Sequence, residues 1–371
     1  MKTNFVKLRW LFTMLLFVTT MIMPTMMLAK SIDLKIPEGD GAGTPYKIGT
    51  AEELYWFAGL VNGTLPGVKK DLSANAILTD DIIVNTGVLD PNKDLVSGND
   101  FIEWIPIGKS SSDDDAYTGT FDGNGHTISG LYFNKSNSWY VGLFGCIGAE
   151  GKISNVGVSD SYFQSSNCPY IGGVCGSNSG ELQNCSNSST VIGKENEYRI
   201  GGVCGDNSGT IKSCYNTASV SGQYSVGGVS GSLGSDVTNC YYLSGTVADG
   251  KGGIGGKDDE NGKAVEMSKD RFKSGEVAWL LNGSKSVSTE ESTLAWYQKL
   301  DENADAYPVL KSTDHNTVYK APLFSCDGTT RIGEYANKPE GDKLSHNYQM
   351  AEKTDEGTSN LYSEECAICH N

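Results

Sequence analysis

One phrase is written three times in the middle of this chain: Tyr170-Ile-Gly-Gly-Val-Cys-Gly, Arg199-Ile-Gly-Gly-Val-Cys-Gly and Ser225-Val-Gly-Gly-Val-Ser-Gly. Its first glycine moves from 172 to 201 to 227, a period of 29 and then 26 residues, and Leu182, Ile211 and Val237 follow it at a fixed offset of ten. Self-similarity at this period marks a solenoid, in which each repeat is one coil of a single stack.

The residue types say what a coil is made of. Around Val174, Leu182 and Val191, and likewise around Val203, Ile211, Val220 and Val229, Val237, Val247, apolar and polar residues alternate, which is the period of a strand. Between these runs lie Ser177-Asn-Ser-Gly180, Asp206-Asn-Ser-Gly209 and Gly222-Gln-Tyr-Ser, residues that make corners through positive φ or side-chain capping. A helical repeat of this length is disfavoured, because every unit carries a Gly-Gly pair inside it. A fainter coil reads Tyr140-Val-Gly-Leu-Phe-Gly145 with Ile153-Ser-Asn-Val156. Opening rungs are expected at Ala76–Val84, Trp104–Gly108 and Gly119–Leu131.

An open stack exposes strand edges and needs a cap at each end. Thr50-Ala-Glu-Glu53 has capping-box spacing, and Leu54, Phe57, Ala58 and Val61 then mark one helical face that stops at Asn62-Gly63. The expected fold is therefore all-β: a right-handed parallel β-helix with an N-terminal capping helix and a small C-terminal α-containing cap plus a Cys/His tail. The expected organisation is a signal peptide at 1–29, linker and capping helix at 30–69, β-solenoid at 70–250, C-terminal cap at 251–320 and the tail at 321–371.

Tyr46-Lys-Ile, Leu78-Thr-Asp-Asp-Ile82, Trp104-Ile-Pro-Ile-Gly108, Thr120-Phe-Asp-Gly-Asn-Gly-His-Thr-Ile128 and the Gly-Gly-Val repeats, taken in this order, resemble bacterial surface proteins that carry GLUG motifs. Phe272-Lys-Ser-Gly-Glu-Val-Ala-Trp-Leu-Leu-Asn-Gly283, Trp296-Tyr-Gln298 and Tyr307-Pro-Val-Leu310 are similar to the closing segment of that group, so the resemblance runs from about Tyr46 to Leu310. It implies an exported β-helical, adhesin-like module. The same repeats precede the catalytic domain in some immunoglobulin A-cleaving metallopeptidases, but His126, His315, His346 and His370 nowhere form His-Glu-x-x-His, so that zinc machinery has no residues here.

A formal net charge of −16 repels phosphate backbones, which removes nucleic acid from the expected partners. Lys2, Lys7 and Arg9 precede an apolar stretch from Trp10 to Met23, and Ala29 offers a small residue before a cut, as in a secretory signal peptide. Cleavage leaves a mature chain with no membrane span; an uncleaved stretch would be an anchor. The expected location is the cell surface or the medium.

The cysteines fall into separate populations. Cys175 and Cys204 share one repeat position and Cys185, Cys214 and Cys240 another, so each set is expected to form a vertical file, either packed as small apolar side chains or bridged as disulfides. Cys326, His346, Cys366 and Cys369 lie in the apolar-poor tail and supply a structural zinc complement. Cys366-Ala-Ile-Cys369-His370 also fits c-type haem attachment, and a disulfide is the third reading.

An enzyme of the polysaccharide lyase or glycosidase kind would need converging carboxylates. The candidates, Asp113-Asp-Asp115 with Asp122 and Asp258-Asp-Glu260, read as solvated turns. Tyr140, Tyr170, Tyr198, Tyr215, Tyr224, Tyr241 and Tyr242 fall at expected coil edges, where they either stack on a ligand or cover the core. The expected role is a non-enzymatic binding protein recognising a host glycan or extracellular protein. A β-helix lyase or glycosidase, or the accessory repeats of a surface peptidase, are the alternatives.

Overall fold

The computed structural model describes residues 30–97, 100–112, 114–167, 170–194, 199–232, 236–248, 251–255, 263–283, 294–300, 303–310, 322–324 and 331–334. The chain divides into the units Met1–Ser31 and Ile32–Asn371, and the second holds the fold. It is a parallel β-solenoid. The first wall stacks Tyr46–Ile48, Ala76–Leu78, Thr120–Asp122, Lys152–Ser154, Glu181–Gln183, Thr210–Lys212 and Asp236–Thr238, so seven strands enclose six turns of chain. The second wall runs from Ile82–Ile83 through Thr127–Ser129, Gly157–Ser166, Ser186–Gly193, Tyr215–Asn216 and Cys240–Leu243 to Ala264–Met267. A third wall is split at the Gly-Gly-Val phrase into two pieces, one containing Tyr170–Gly172 and Arg199–Gly201, the other Cys175–Asn178 and Cys204–Asn207. Every pairing between these strands is parallel.

Equal offsets superpose as the repeat demands. Phe121, Ile153, Leu182, Ile211 and Val237 pair in register down the first wall and are all fully buried. Each such side chain contributes about 1.5–3 kcal/mol by leaving water. The Cys185, Cys214 and Cys240 file also forms, with the Cys185 N–H on the Cys214 sulfur at 3.3 Å and the Cys214 N–H on the Cys240 sulfur at 3.4 Å. All six described cysteines are buried free thiols, the core-packing alternative. Burial holds Cys175, Cys185 and Cys240 well above the usual thiol range, so they stay protonated.

The second wall explains the Gly-Gly pair. Its inward file passes from Ile82, Ile128 and Val158 to Asn187 and Asn216 and then to Tyr242. Asn187 Nδ2 donates to Asn216 Oδ1 at 2.9 Å and to Ser189 O at 3.1 Å, while Asn187 Oδ1 accepts the Ser189 N–H at 3.0 Å, so the buried amide has its partners. A Cβ on Gly173 would lie 2.3 Å from the Asn187 side chain, one on Gly202 2.3 Å from Asn216, and one on Gly228 2.3 Å from Tyr242. The second glycine of each phrase is thus the space its inward partner occupies. The corner between the first and second walls turns on one left-handed residue, Asn155, Asn184, Ser213 or Asn239, each at φ 52–55°. Asn tolerates this left-handed region by bonding locally, and here Asn184 Nδ2 donates to Asn155 Oδ1 at 3.0 Å. The repeat pattern alone did not separate this corner from the strands beside it.

Helix α1, Ala51–Asn62, closes the N-terminal end. The Thr50 hydroxyl accepts the Glu53 N–H at 3.3 Å, Glu53 Oε2 accepts the Gly49 N–H at 2.9 Å, and Gly63 ends the helix at φ 64°. Rather than showing one apolar face, it is buried from Glu53 to Asn62. Phe57 meets Phe121 on the coil side, while Trp56 packs on Tyr46, Tyr55 on Trp104, and Asn62 bonds Pro106 O and Gly108 N on the others.

The C-terminal segment does more than close the stack. After Ala264–Met267 extends the second wall, helices α2, Lys269–Lys273, and α3, Glu276–Leu281, join Trp296 on that wall's outer side over Tyr215 and Tyr241. Tyr215 donates to Pro308 O at 2.7 Å and Trp296 to Ser213 O at 3.1 Å. Among the described residues no helix is long and apolar enough to cross a membrane.

Candidate functional site

The expected tail ligands Cys326, His346, Cys366 and Cys369 lie outside the described residues, as do Asp113, Asp258, Asp259, Glu260 and Tyr198. The described part of the tail is one antiparallel pairing, Pro322–Phe324 with Arg331–Glu334. Of the carboxylates offered as a catalytic set, Asp115 is tied to Lys70 at 2.5 Å. Asp122 accepts the Asn124 N–H at 2.9 Å and Asn155 Nδ2 at 3.0 Å, which fixes the corner.

The tyrosines separate by wall. Tyr215 and Tyr241 are buried under the C-terminal cover and Tyr242 faces inward, so these three serve the core; Tyr224 is 56% exposed. Tyr140 and Tyr170 stand on the outer side of the third wall, stacked with ring centres 5.4 Å apart and planes 26° off parallel. In register with them comes Arg199, its guanidinium carbon 5.6 Å from the Tyr170 ring centre and its Nη1 2.7 Å from Asp206. Burial raises the Tyr170 pKa, with the Arg199 charge opposing, so the phenol stays a neutral donor.

At the N-terminal end of this ladder lies a cleft of about 260 Å³ lined by Trp104–Pro106, Lys109, Lys135, Trp139 and Tyr140, among others. Its walls come from two places in the sequence. The segment read as an opening rung is one: Trp104 and Ile107 point in, each fully buried, and Ile105 points out, 49% exposed. Trp104 Nε1 donates to Gly142 O at 3.0 Å, fixing this segment against the next coil. The turn at Asn137, φ 60°, is the other, and it presents Trp139 at 64% exposure. The Tyr140 hydroxyl and Ser111 Oγ are 2.9 Å apart. Trp139, Ile105, Lys109 and Lys135 escaped the sequence reading; the signal was Asn-Ser-Trp-Tyr, an exposed-prone turn carrying a large apolar ring.

Asp80, Asp81 and His126 bring ligand-type atoms within 4.8 Å of one another at the start of the second wall and could hold a cation. Asp81 Oδ1 already accepts the Thr127 N–H at 2.7 Å, and His126 Nδ1 is 3.5 Å away.

No family model matches the sequence. Eighty-four residues are 38% identical to halomucin of Haloquadratum walsbyi, covering 23% of this chain and 1% of that protein. Seventy-eight residues are 33% identical to a "Putative Gly-rich membrane protein" of Evansella cellulosilytica, covering 21% of this chain and 9% of that protein. The chain thus spans a small part of the curated relatives it matches. A solved structure titled as a "putative immunoglobulin A1 protease" from Bacteroides ovatus aligns over 75% of this chain and 95% of its own at 15% identity and a TM-score of 0.35, a likeness too low to bear on family or activity.

Proposed function

We propose that this chain is an adhesin-like binding protein, presented at the cell surface or secreted, that holds the Trp139 cleft out to an extracellular glycan. One observation carries the reading: a tryptophan 64% exposed beside Ile105 on a rigid stack whose other large rings are mostly buried. An indole face bordered by hydrogen-bonding groups suits the apolar face and hydroxyl rim of a sugar ring. The similarity to pieces of two larger proteins, one of them named a membrane protein, suits a surface location. So does the secretory pattern before Ala29. The full chain on glycan and protein arrays tests it: glycans should be bound, and Trp139→Ala should weaken binding by about tenfold or more without lowering the melting temperature. Exclusive binding to proteins would refute the glycan reading, and sugar cleavage on the same arrays would make the chain an enzyme.

For the tail, the proposal is a structural zinc held by Cys326, His346, Cys366 and Cys369. Purified full chain should carry about one equivalent of zinc and lose it on Cys366→Ser. A Soret band in a haem-attaching host would assign haem to Cys366 and Cys369 instead.

A further inference from the structure

We propose that the sugar bound in the Trp139 cleft carries a carboxylate, that is, an acidic pyranose such as a uronic or sialic acid; this rests on the glycan reading above. The chain bears a formal charge of −16, yet the residues lining this cleft include Lys109 and Lys135 and no acid. Neither ammonium is used up. Lys109 Nζ donates to the main-chain carbonyl of Asn62 at 2.6 Å, and Asn62 is itself buried and bonded to Pro106 and Gly108, so the lysine is held against the frame. Lys135 Nζ sits 2.7 Å from Glu103 Oε2. An ammonium has three donors, and one acceptor on each leaves hydrogens for a ligand.

Two lysines against the one flanking glutamate leave the cleft net positive on an otherwise negative molecule. Charge arranged in this way selects an anion and speeds its arrival. The apolar floor from Trp139 and Ile105 demands a ligand with a carbon-rich face, which a free inorganic anion lacks. The volume, about 260 Å³, is below the roughly 300–1,000 Å³ of pockets that take drug-sized ligands, so it admits one or two rings rather than a folded peptide. A pyranose with a ring carboxylate meets all three demands: C–H face on the indole, carboxylate on the lysines, hydroxyls toward Tyr140 and Ser138. A longer chain would run up the ladder onto Tyr170, where Arg199 offers a further cation partly balanced by Asp206.

Calorimetric titration of the full chain with oligomers of galacturonic acid, and with the same oligomers methyl-esterified, isolates the charge at constant ring shape. Sialyllactose against lactose does the same for the sialic source. The free acid of at least one pair should bind about tenfold tighter than its neutral counterpart, and the advantage should shrink as salt rises. Lys135→Gln and Lys109→Gln should each cut that preference several-fold while leaving neutral-sugar affinity in place, with the Lys→Arg variants retaining it. Trp139→Ala should weaken acid and neutral forms alike. Equal affinity for acid and neutral partners in both pairs would overturn the acidic class and leave the glycan reading standing. Binding of no sugar at all would overturn both.

Discussion

Between Tyr46 and Ser166 the solenoid is filled with rings. Phe57 of α1, Tyr117, Phe121 and Phe144 form one cluster with centres 5.3–6.1 Å apart. Between Tyr170 and Leu243 the positions in register with these rings hold smaller side chains: Phe121 gives way, past Ile153, to Leu182, Ile211 and Val237, and Phe144 to Cys175, Cys204 and Ser230. After a first turn of 30 residues between the partners Tyr46 and Ala76, coil length falls from 45 between Ala76 and Phe121, through 32, 29 and 29, to 26 between Ile211 and Val237. Register is kept while bulk is shed. The early coils carry extra segments such as 85–97, and the cleft forms where the rung at 104–109 meets the turn at Asn137 of the next coil. The later coils are shorter and, among the described residues, lie mostly in the walls and their corners.

The sharpest way to break this comparison is Ile211→Asp, which places a carboxylate in the narrow later core and should cost several kcal/mol. Limited proteolysis should then show the coils around Ile211 opening first. If α1 and the ring cluster survive as a protected fragment, the two regions fold as separate cooperative units; a chain digested throughout would show that they do not.

Next in size is Gly173→Ala, where the new methyl meets Asn187 and should cost about 1–3 kcal/mol in chemical denaturation. The double variant with Asn187→Gly should recover part of that cost beyond the sum of the single changes, a coupling a mutant cycle reads directly. Additivity would mean that the glycine is needed for some other reason. The thiol files give a kinetic test: Cys185, Cys214 and Cys240 should resist thiol reagents in the native chain and react only as the protein unfolds, since all three are fully buried and no reagent reaches them. Fast labelling in the folded state would show that the later coils breathe.

The smallest effect concerns α1. Burial tends to raise the Glu53 pKa, but its bonds to the Lys35 ammonium and to the Gly49 and Thr50 backbone outweigh it and leave the group below the usual carboxylate range. A depressed folded pKa adds stability above the unfolded value and loses it as pH falls through the folded one. With Lys35 largely in solvent the contribution is about 1 kcal/mol or less. The melting temperatures of the natural chain and Glu53→Gln should therefore differ slightly at neutral pH and converge in acid.

The repeats made the stack, its strand register and the inward residues legible, because a 29-residue period forces Leu182 over Ile211 whatever lies between. The cap helix was legible in its bounds, Thr50 and Gly63, but not in its surroundings: nothing local says that residues fifty positions away will cover Tyr55 and Asn62. The cleft was illegible for the same reason. Its two halves, 104–109 and 133–140, belong to different coils, and each looks ordinary until the stack sets them side by side. For Tyr215 and Tyr241 the sequence left ligand stacking and core cover both open, because alternation marks the outer face of a strand but not the cover, which arrives from Phe272 and Trp296.

The fit between Gly173 and Asn187, Gly202 and Asn216, and Gly228 and Tyr242 spans fourteen residues in every case. It makes the history of such a coil directional. With glycine in place the facing site holds an amide in two coils and a ring in the third, whereas a side chain at the glycine is blocked while either partner remains. A coil therefore changes at its inward site first and at its glycine last, and copying a whole coil keeps the matched pair together where point changes would have to assemble it one misfit at a time.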